Sequence, residues 1–379
     1  MSTAAAVPYR LTARLSDWYG IDRSGRIEAV GKVASGPVTH NLLFGLDAYA
    51  FDDDRIQLRR NPSNEFPHAI DIYAPVYGGV AAPLSLNAST RETQRSHAVY
   101  LQDQLDLTPQ WKALLGPRRD SYDQTVVNRR LGRSNEQSLS ATSPRVGLVY
   151  QPLSTLSLYA SAAKGFRPNS GISYDNEALP AESSRSWEVG TKVDSLEGKL
   201  TSTVALYRIT KDNVLTVDPR SSDFSAPAGQ VASKGVEVDM AGDVMKDVRL
   251  SLAYAWTDAV VTKGDNAIVS GSRFPNVPKH SATVQLTPRF RLGDGVAMPG
   301  GGFSYVGERK GDVAASTSFV LPSYTTARLV ASWAPNPRLR IAFNVENLFD
   351  KQYYASSYGS VWVTPGMLRT ARLNLRYRF

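Results

Sequence analysis

The sequence predicts an all-β protein, an antiparallel transmembrane β-barrel, and three observations carry that reading. Apolar and polar residues alternate at period two in long stretches. Near the end of the chain Leu373, Leu375, Tyr377 and Phe379 interleave with Arg372, Asn374, Arg376 and Arg378. That period sends the two sets to opposite faces of a strand, one suited to hydrocarbon and the other to water. The segments joining the strands alternate long and short along the whole chain, which gathers all long loops at one end of a meander. The last strand also ends on an aromatic, Phe379, as the closing strand of a membrane barrel does.

Composition leaves this reading open and closes others. No run of about 18 apolar residues occurs, so a membrane-spanning helix is excluded, whereas a barrel hides its lipid face in every second residue. The absence of cysteine removes disulfides, thiolate metal sites and cysteine nucleophiles. The net charge of +8 is spread along the chain without a basic block, so no nucleic-acid partner is expected. A basic lumen, or the lipid of an anionic outer leaflet, suits the charge better. Met1 to Arg10 has neither a basic n-region nor an apolar h-region, so no secretory signal is read there.

In chain order the pattern predicts about sixteen strands. The first two, Tyr9 to Ser16 and Gly25 to Val33, bracket a loop holding Asp17, Trp18 and Tyr19, and a third runs from Val38 to Phe51. A long loop is expected from Asp52 to Arg91, followed by strands near Glu92 to Leu107 and Gln110 to Ser121 and a loop of about twenty residues. Pairs then follow at 144–150 with 156–165, 184–193 with 199–211, 235–243 with 248–262, 280–291 with 296–307, and 322–334 with 338–349. The long loops between these pairs include 166–183, 212–232, 263–278, 308–321 and 350–366. The final strand begins at Leu368. Leu250, Leu252, Tyr254 and Trp256 against Ser251, Ala253, Ala255 and Thr257 show the alternation most clearly.

Enzymatic motifs are missing. No GxSxG, P-loop or HExxH occurs, and His40, His68, His97 and His280 stand at no ligand spacing. Asp52-Asp53-Asp54 reads as a solvated acidic loop before it reads as a cation site. Gly300-Gly301-Gly302 precedes no helix, so it reads as close packing or a bend within a strand. Trp256, Trp333 and Tyr377 read as interfacial girdle residues.

Four segments together resemble the C-terminal barrel of TonB-dependent outer-membrane siderophore receptors. They are Ala163-Lys164-Gly165-Phe166-Arg167-Pro168, Leu179 to Ser183 with Trp187 to Lys192, Lys234 to Asp239, and Asn347-Leu348-Phe349-Asp350-Lys351-Gln352-Tyr353-Tyr354. Their order and spacing, ending on Arg376-Tyr377-Arg378-Phe379, cover nearly the whole chain. The resemblance implies a barrel of 22 strands, with residues 1–379 as its C-terminal part, and a signal peptide, TonB box and plug domain that this sequence does not contain. It implies no catalysis and no cofactor. The cargo would be an iron(III)-siderophore chelate, with TonB acting only through the N-terminal part. Tyr73 to Gly78 and Tyr353 to Tyr358 look most like the ferrichrome, hydroxamate-type receptors. On that resemblance Tyr358 is the expected ligand contact, with Tyr77 and Trp362 beside it. Ser357 stands where some relatives carry a disulfide cysteine, so the last loop is expected to be more mobile. A passive porin-like barrel, or a soluble all-β ligand- or glycan-binding protein, is the alternative reading.

Overall fold

Strand after strand pairs antiparallel with its neighbour in the computed structural model, which describes residues 9–10, 13–60, 69–70, 76–78, 83–171, 173–175, 177–218, 221–264, 269–312, 319–359 and 362–379. The first elements are β1 (Tyr9–Arg10), β2 (Ala13–Ser35), β3 (Val38–Arg60), β4 (Ala69–Ile70), β5 (Ser85–Asp106), β6 (Trp111–Gly116), β7 (Arg118–Asn128) and β8 (Arg133–Thr142). Next come β9 (Arg145–Leu153), β10 (Leu156–Arg167), β11 (Glu182–Ser195), β12 (Leu200–Asp218), β13 (Ser221–Met245), β14 (Val248–Lys263), β15 (His280–Pro288) and β16 (Phe290–Leu292). The chain finishes with β17 (Gly295–Val306), β18 (Arg309–Lys310), β19 (Val320–Leu321), β20 (Tyr324–Asn336), β21 (Leu339–Glu346), β22 (Tyr354–Gly359), β23 (Trp362–Pro365) and β24 (Thr370–Tyr377). Among the described residues no helix is long and apolar enough to cross a membrane.

The wall is a single meander from β2 to β24 in which some strands are split. β5 pairs with β6 over its last residues and with β7 over the middle, because Pro117 interrupts that wall strand. β15 and β16 likewise share β17. Among the described residues no ladder joins β2 to β24, and both strands are exposed along nearly their whole length. Short connections collect at one end. Left-handed backbone at Gly36 (φ 58), Asp247 (φ 60) and Gly293 (φ 61) makes the tight turns there, a conformation open to glycine and tolerated by aspartate.

Register separates two faces. Val189 stands opposite Leu206, Val284 opposite Phe303, Leu329 opposite Val345, and Phe343 opposite Leu373. Most of these side chains are exposed, Phe303 at 55% and Leu373 at 64%, which marks the outer, lipid-facing surface. Aromatic residues rim this band. Trp111 stacks on Tyr150 at 4.5 Å near the short turns, where Trp333 and Tyr377 also lie. Trp187, Tyr254, Trp256 and Tyr305 stand toward the other end, on the same outer face.

The inner face is polar and knitted by tyrosines. Tyr100, Tyr159 and Tyr207 lie across Gly45, Gly190 and Gly235, their direct cross-strand partners. A Cβ on Gly235 would stand 2.6 Å from the Tyr207 ring and 2.5 Å from the Trp256 carbonyl oxygen, so only glycine fits. Each hydroxyl then finds a partner: Glu28 for Tyr100, Glu188 for Tyr159 and Thr257 for Tyr207.

Several expected boundaries give way. Tyr9 to Ser16 and Gly25 to Val33 are not two strands: Asp17, Trp18 and Tyr19 sit inside one continuous strand, β2, hydrogen-bonded to β3 throughout. The expected loop from Asp52 to Arg91 is strand as far as Arg60 and again from Ser85. The loop expected after Ser121 is the β7–β8 hairpin, and 212–232 is largely the outer half of the β12–β13 hairpin. In all of these the chain has left the apolar band, so ladder hydrogen bonds hold it extended without any apolar alternation to announce it. Asp52, Asp53 and Asp54 are therefore strand residues with partners, not a solvated loop. Gly300 and Gly302 lie in β17, where a Cβ would come within 2.6 and 2.3 Å of β15 carbonyl oxygens, the close strand approach read from the sequence.

Candidate ligand-binding vestibule

Strand alternation fixes which residues face inward at the long-loop end. Register pairs Arg14 with Arg59, Ser16 with Gln57, Trp18 with Arg55 and Gly20 with Asp53, so these eight residues share one face of β2 and β3. The even residues of β5, including Thr90, Glu92 and Gln94, and Gln124 and Val126 of β7 continue that face. Trp18, Asp53, Arg55, Glu92 and Val126 of this face, with Asn87, Asn128, Leu131 and Phe224, line a cavity of about 580 Å³. Beneath it lies a second space of about 580 Å³, lined by Tyr49, Tyr122, Arg118 and Leu215.

Glu92 is the polar hub between them. It is 8% exposed and accepts hydrogen bonds from Gln94 (2.6 Å), Gln124 and Ser170. Gln137 extends the chain by donating to Gln124. Ser170 belongs to the 168–181 connection, so this network ties that segment to the wall. Asn169 anchors it further, donating to the carbonyls of Pro180 (2.7 Å) and Asn213 (3.1 Å), while Leu179 is buried.

The cavity wall carries aromatic and cationic groups in contact. The Arg55 guanidinium lies 5.2 Å over the Trp18 ring, and Trp18 Nε1 donates to Asp53. Outer-face acids are neutralised separately: Asp52 by Arg23 and Arg95, and Asp54 by Arg129, whose Nη1 donates at 3.0 Å. That hydrogen bond from Arg129 holds the Asp54 carboxyl below its usual value of 3.8.

The last three long connections pack on one another above β15 to β24. Arg309, 1% exposed, donates to the carbonyls of Tyr354 (2.6 Å) and Ala355 (2.9 Å) and lies 5.5 Å over the Tyr324 ring. Ser357 is buried, donating through Oγ to Gly311 O (2.6 Å) and through its amide to Asn276 Oδ1 (2.9 Å). The final loop therefore has hydrogen-bonded anchors at Ser357, the position where some relatives carry a disulfide cysteine. Asn347, in left-handed conformation (φ 48), closes the corner by donating to Lys351 O and Met367 O, both at 2.9 Å.

The three residues singled out in the sequence meet different fates. Trp362, in β23, is exposed, and its ring receives the Arg14 guanidinium at 5.6 Å, so the last loop reaches the first long strand. Tyr77 is 81% exposed and has no hydrogen bond or ring contact with the described residues. Tyr358 lies on β22, but its side chain, like Tyr73 to Pro75 and His68, is outside the described residues. Sequence reasoning missed Arg14, Trp18, Arg55 and Arg59. The signal was present as the alternation Arg14, Ser16, Trp18, hidden because Trp18 was assigned to a loop. No cluster of His, Cys, Asp or Glu able to hold a metal ion occurs among the described residues.

An antiparallel wall with a lipid-facing apolar band, a polar inner face and a vestibule at its long-loop end defines an outer-membrane β-barrel. Residues 2–348 match the family described as "TonB dependent receptor-like, beta-barrel", and the chain belongs to that family, whose barrels lie in the outer membrane of Gram-negative bacteria. It is 38% identical to the metal-pseudopaline receptor CntO of Pseudomonas aeruginosa over all of this chain and 54% of that protein. It is 29% identical to the ferrichrome outer membrane transporter/phage receptor of Escherichia coli K12, over 87% of this chain and 45% of that one. The crystal structure of the siderophore receptor PiuA from Acinetobacter baumannii superposes with a TM-score of 0.82 at 22% identity, covering 96% of this chain and 56% of that one. The chain thus spans about half the length of the curated relatives it matches.

Proposed function

We propose that this chain is the wall and vestibule of an outer-membrane receptor that takes up a metal–siderophore complex, energised through TonB. The observation that carries this is the cavity of about 580 Å³ at the long-loop end, open at the size of a compact chelate and lined by Trp18, Arg55, Asn87, Asn128 and Phe224. Aromatic faces offer large contact area at low entropic cost, and the amides and guanidinium fix orientation. No covalent chemistry is required. We assign ligand contact to Tyr358 and Trp362 on the last loop, and to Tyr77 on the segment after β4. TonB is placed in contact with parts of the receptor other than residues 1–379.

Two observations bear on the cargo. The segments Tyr73 to Gly78 and Tyr353 to Tyr358 favour a ferric hydroxamate, as does the likeness to the ferrichrome transporter. The higher identity to a metal-pseudopaline receptor favours a different metallophore. Uptake of radioactive iron by cells whose own siderophore receptors are deleted, and which express the receptor carrying this chain, tests the general reading. Accumulation that disappears when TonB is deleted is expected. Accumulation that persists without TonB would favour a passive porin-like barrel.

A further inference from the structure

Arginines cluster on the inner face of β2 and β3. Arg14 lies directly opposite Arg59 on one face, a like-charge pair that costs stability in a bare antiparallel ladder. Two pairs further in, Arg55 continues the basic column toward the cavity. Among the described residues none of the three forms an ion pair, although Arg23, Arg95 and Arg129, on the outer side, do so with Asp52 and Asp54. The Nε atoms of Arg55 and Arg59 are shielded from solvent and have no hydrogen-bond partner.

Two carboxylates, Asp53 and Glu92, line the same cavity as Arg55 but form no ion pair with it. Asp53 is engaged by the Trp18 indole, and Glu92 by two amides and a hydroxyl. Meanwhile two of the guanidinium groups are held by faces of rings, Arg55 over Trp18 at 5.2 Å and Arg14 over Trp362 at 5.6 Å. A guanidinium stacked on a ring keeps its in-plane N–H edges free, and that edge is the fork that pairs bidentately with a carboxylate.

We propose that Arg14, Arg55 and Arg59, with Trp18 and Trp362, form a recognition site for the carboxylates of an anionic metal chelate. The assignment rests on the receptor reading above and narrows its cargo from any siderophore complex to a carboxylate-bearing one. An incoming carboxylate between Arg14 and Arg59 converts their repulsion into a bridged pair, and Arg55 receives a second group at the cavity mouth. A neutral hydroxamate chelate offers these cations only carbonyl edges and leaves their charge unanswered. Trp362 brings the last loop into the same site, so ligand on the arginines also touches the loop that bears Tyr358.

The test is calorimetric titration of the receptor carrying this chain, purified in detergent, with ferric citrate as the anionic carboxylate probe and ferrichrome as the neutral hydroxamate probe. Heat-modifiable migration on a denaturing gel confirms that each variant is folded. Ferric citrate is expected to bind more tightly than ferrichrome and to weaken as salt rises. Arg55→Gln and Arg59→Gln are each expected to weaken citrate binding about tenfold, the scale of a charge-assisted hydrogen bond. The double variant should also flatten the salt dependence, while Arg59→Lys retains part of both and ferrichrome binding falls by less than citrate binding. Tighter binding of ferrichrome by the parent, or citrate binding by the folded double variant equal to the parent's, overturns the proposal and leaves the receptor reading intact. Failure of the folded parent to bind either chelate overturns the carboxylate assignment, while the receptor reading stands or falls on TonB-dependent iron uptake.

Discussion

Tyr358 is the residue on which the sequence argument for ligand contact rested, and its test is direct. If it anchors cargo, Tyr358→Ala weakens chelate binding by roughly 1–3 kcal/mol, the usual scale of an aromatic hot spot, with barrel assembly intact. Calorimetry on the folded variant reads this, and an unchanged affinity removes Tyr358 from the site. Asp54 supplies a second residue-scale test, away from the membrane. The Arg129 hydrogen bond lowers its carboxyl from 3.8, so the pair contributes its stability fully above that value and loses it as pH falls through the lower folded one. Protection factors of the β7–β8 amides, taken relative to the intrinsic exchange rate at each pH, are therefore expected to be flat from neutral to mildly acidic pH, to fall only below about pH 4, and to lose that acid dependence in Arg129→Gln. Individual residues were the least legible scale in the sequence. Trp362 is conspicuous in the sequence as a loop aromatic, and its ligand contact is a proposal. Arg14, Arg55 and Arg59 are not conspicuous, because a guanidinium's role is set by which carboxylates are absent around it, and only register reveals that.

At the scale of elements, β12 and β13 show how the wall is made to a fixed spacing. Tyr207 lies over Gly235 and reaches Thr257 of β14, so three strands share one side chain. Gly235→Ala would set a methyl carbon 2.6 Å from that ring and 2.5 Å from the Trp256 carbonyl. A loss of roughly 1–3 kcal/mol is expected, the cost of overpacking, read as a lower urea midpoint for the folded barrel in micelles. An unshifted midpoint would mean that the ring is not seated there. The Asn347 corner is the matching test for a loop. Asn347→Ala removes two donors and one acceptor from a buried corner, and should free β22 and β23 to exchange faster while leaving β13 and β14 unchanged. The strands inside the apolar band were legible because hydrocarbon imposes alternation. Beyond the band the ribbons of β3, β5, β7 and β8 have polar residues on both faces, as in Ser134 to Ser140, and nothing in such a sequence separates ribbon from loop.

The whole molecule was the most legible scale. A meander with long and short connections alternating leaves little freedom in topology, and every ladder of the wall is antiparallel between neighbours or their split halves. What the pattern could not give is how the first and last long strands stand to each other. They share no ladder among the described residues, yet Arg14 of β2 meets Trp362 beside the last loop, so the two edges converge at the long-loop end. This places the arginine column and the last loop around one opening. A vestibule that meets cargo must face the cell exterior, with the short turns in the periplasm. The direct measurement is labelling of single cysteines by a membrane-impermeant maleimide on intact cells expressing the receptor. Leu131→Cys, exposed in the β7–β8 turn, should be labelled on intact cells. Glu197→Cys, exposed in the short turn between β11 and β12, should be labelled only after the outer membrane is opened. Labelling of Glu197→Cys on intact cells with Leu131→Cys protected would invert the vestibule and contradict the account.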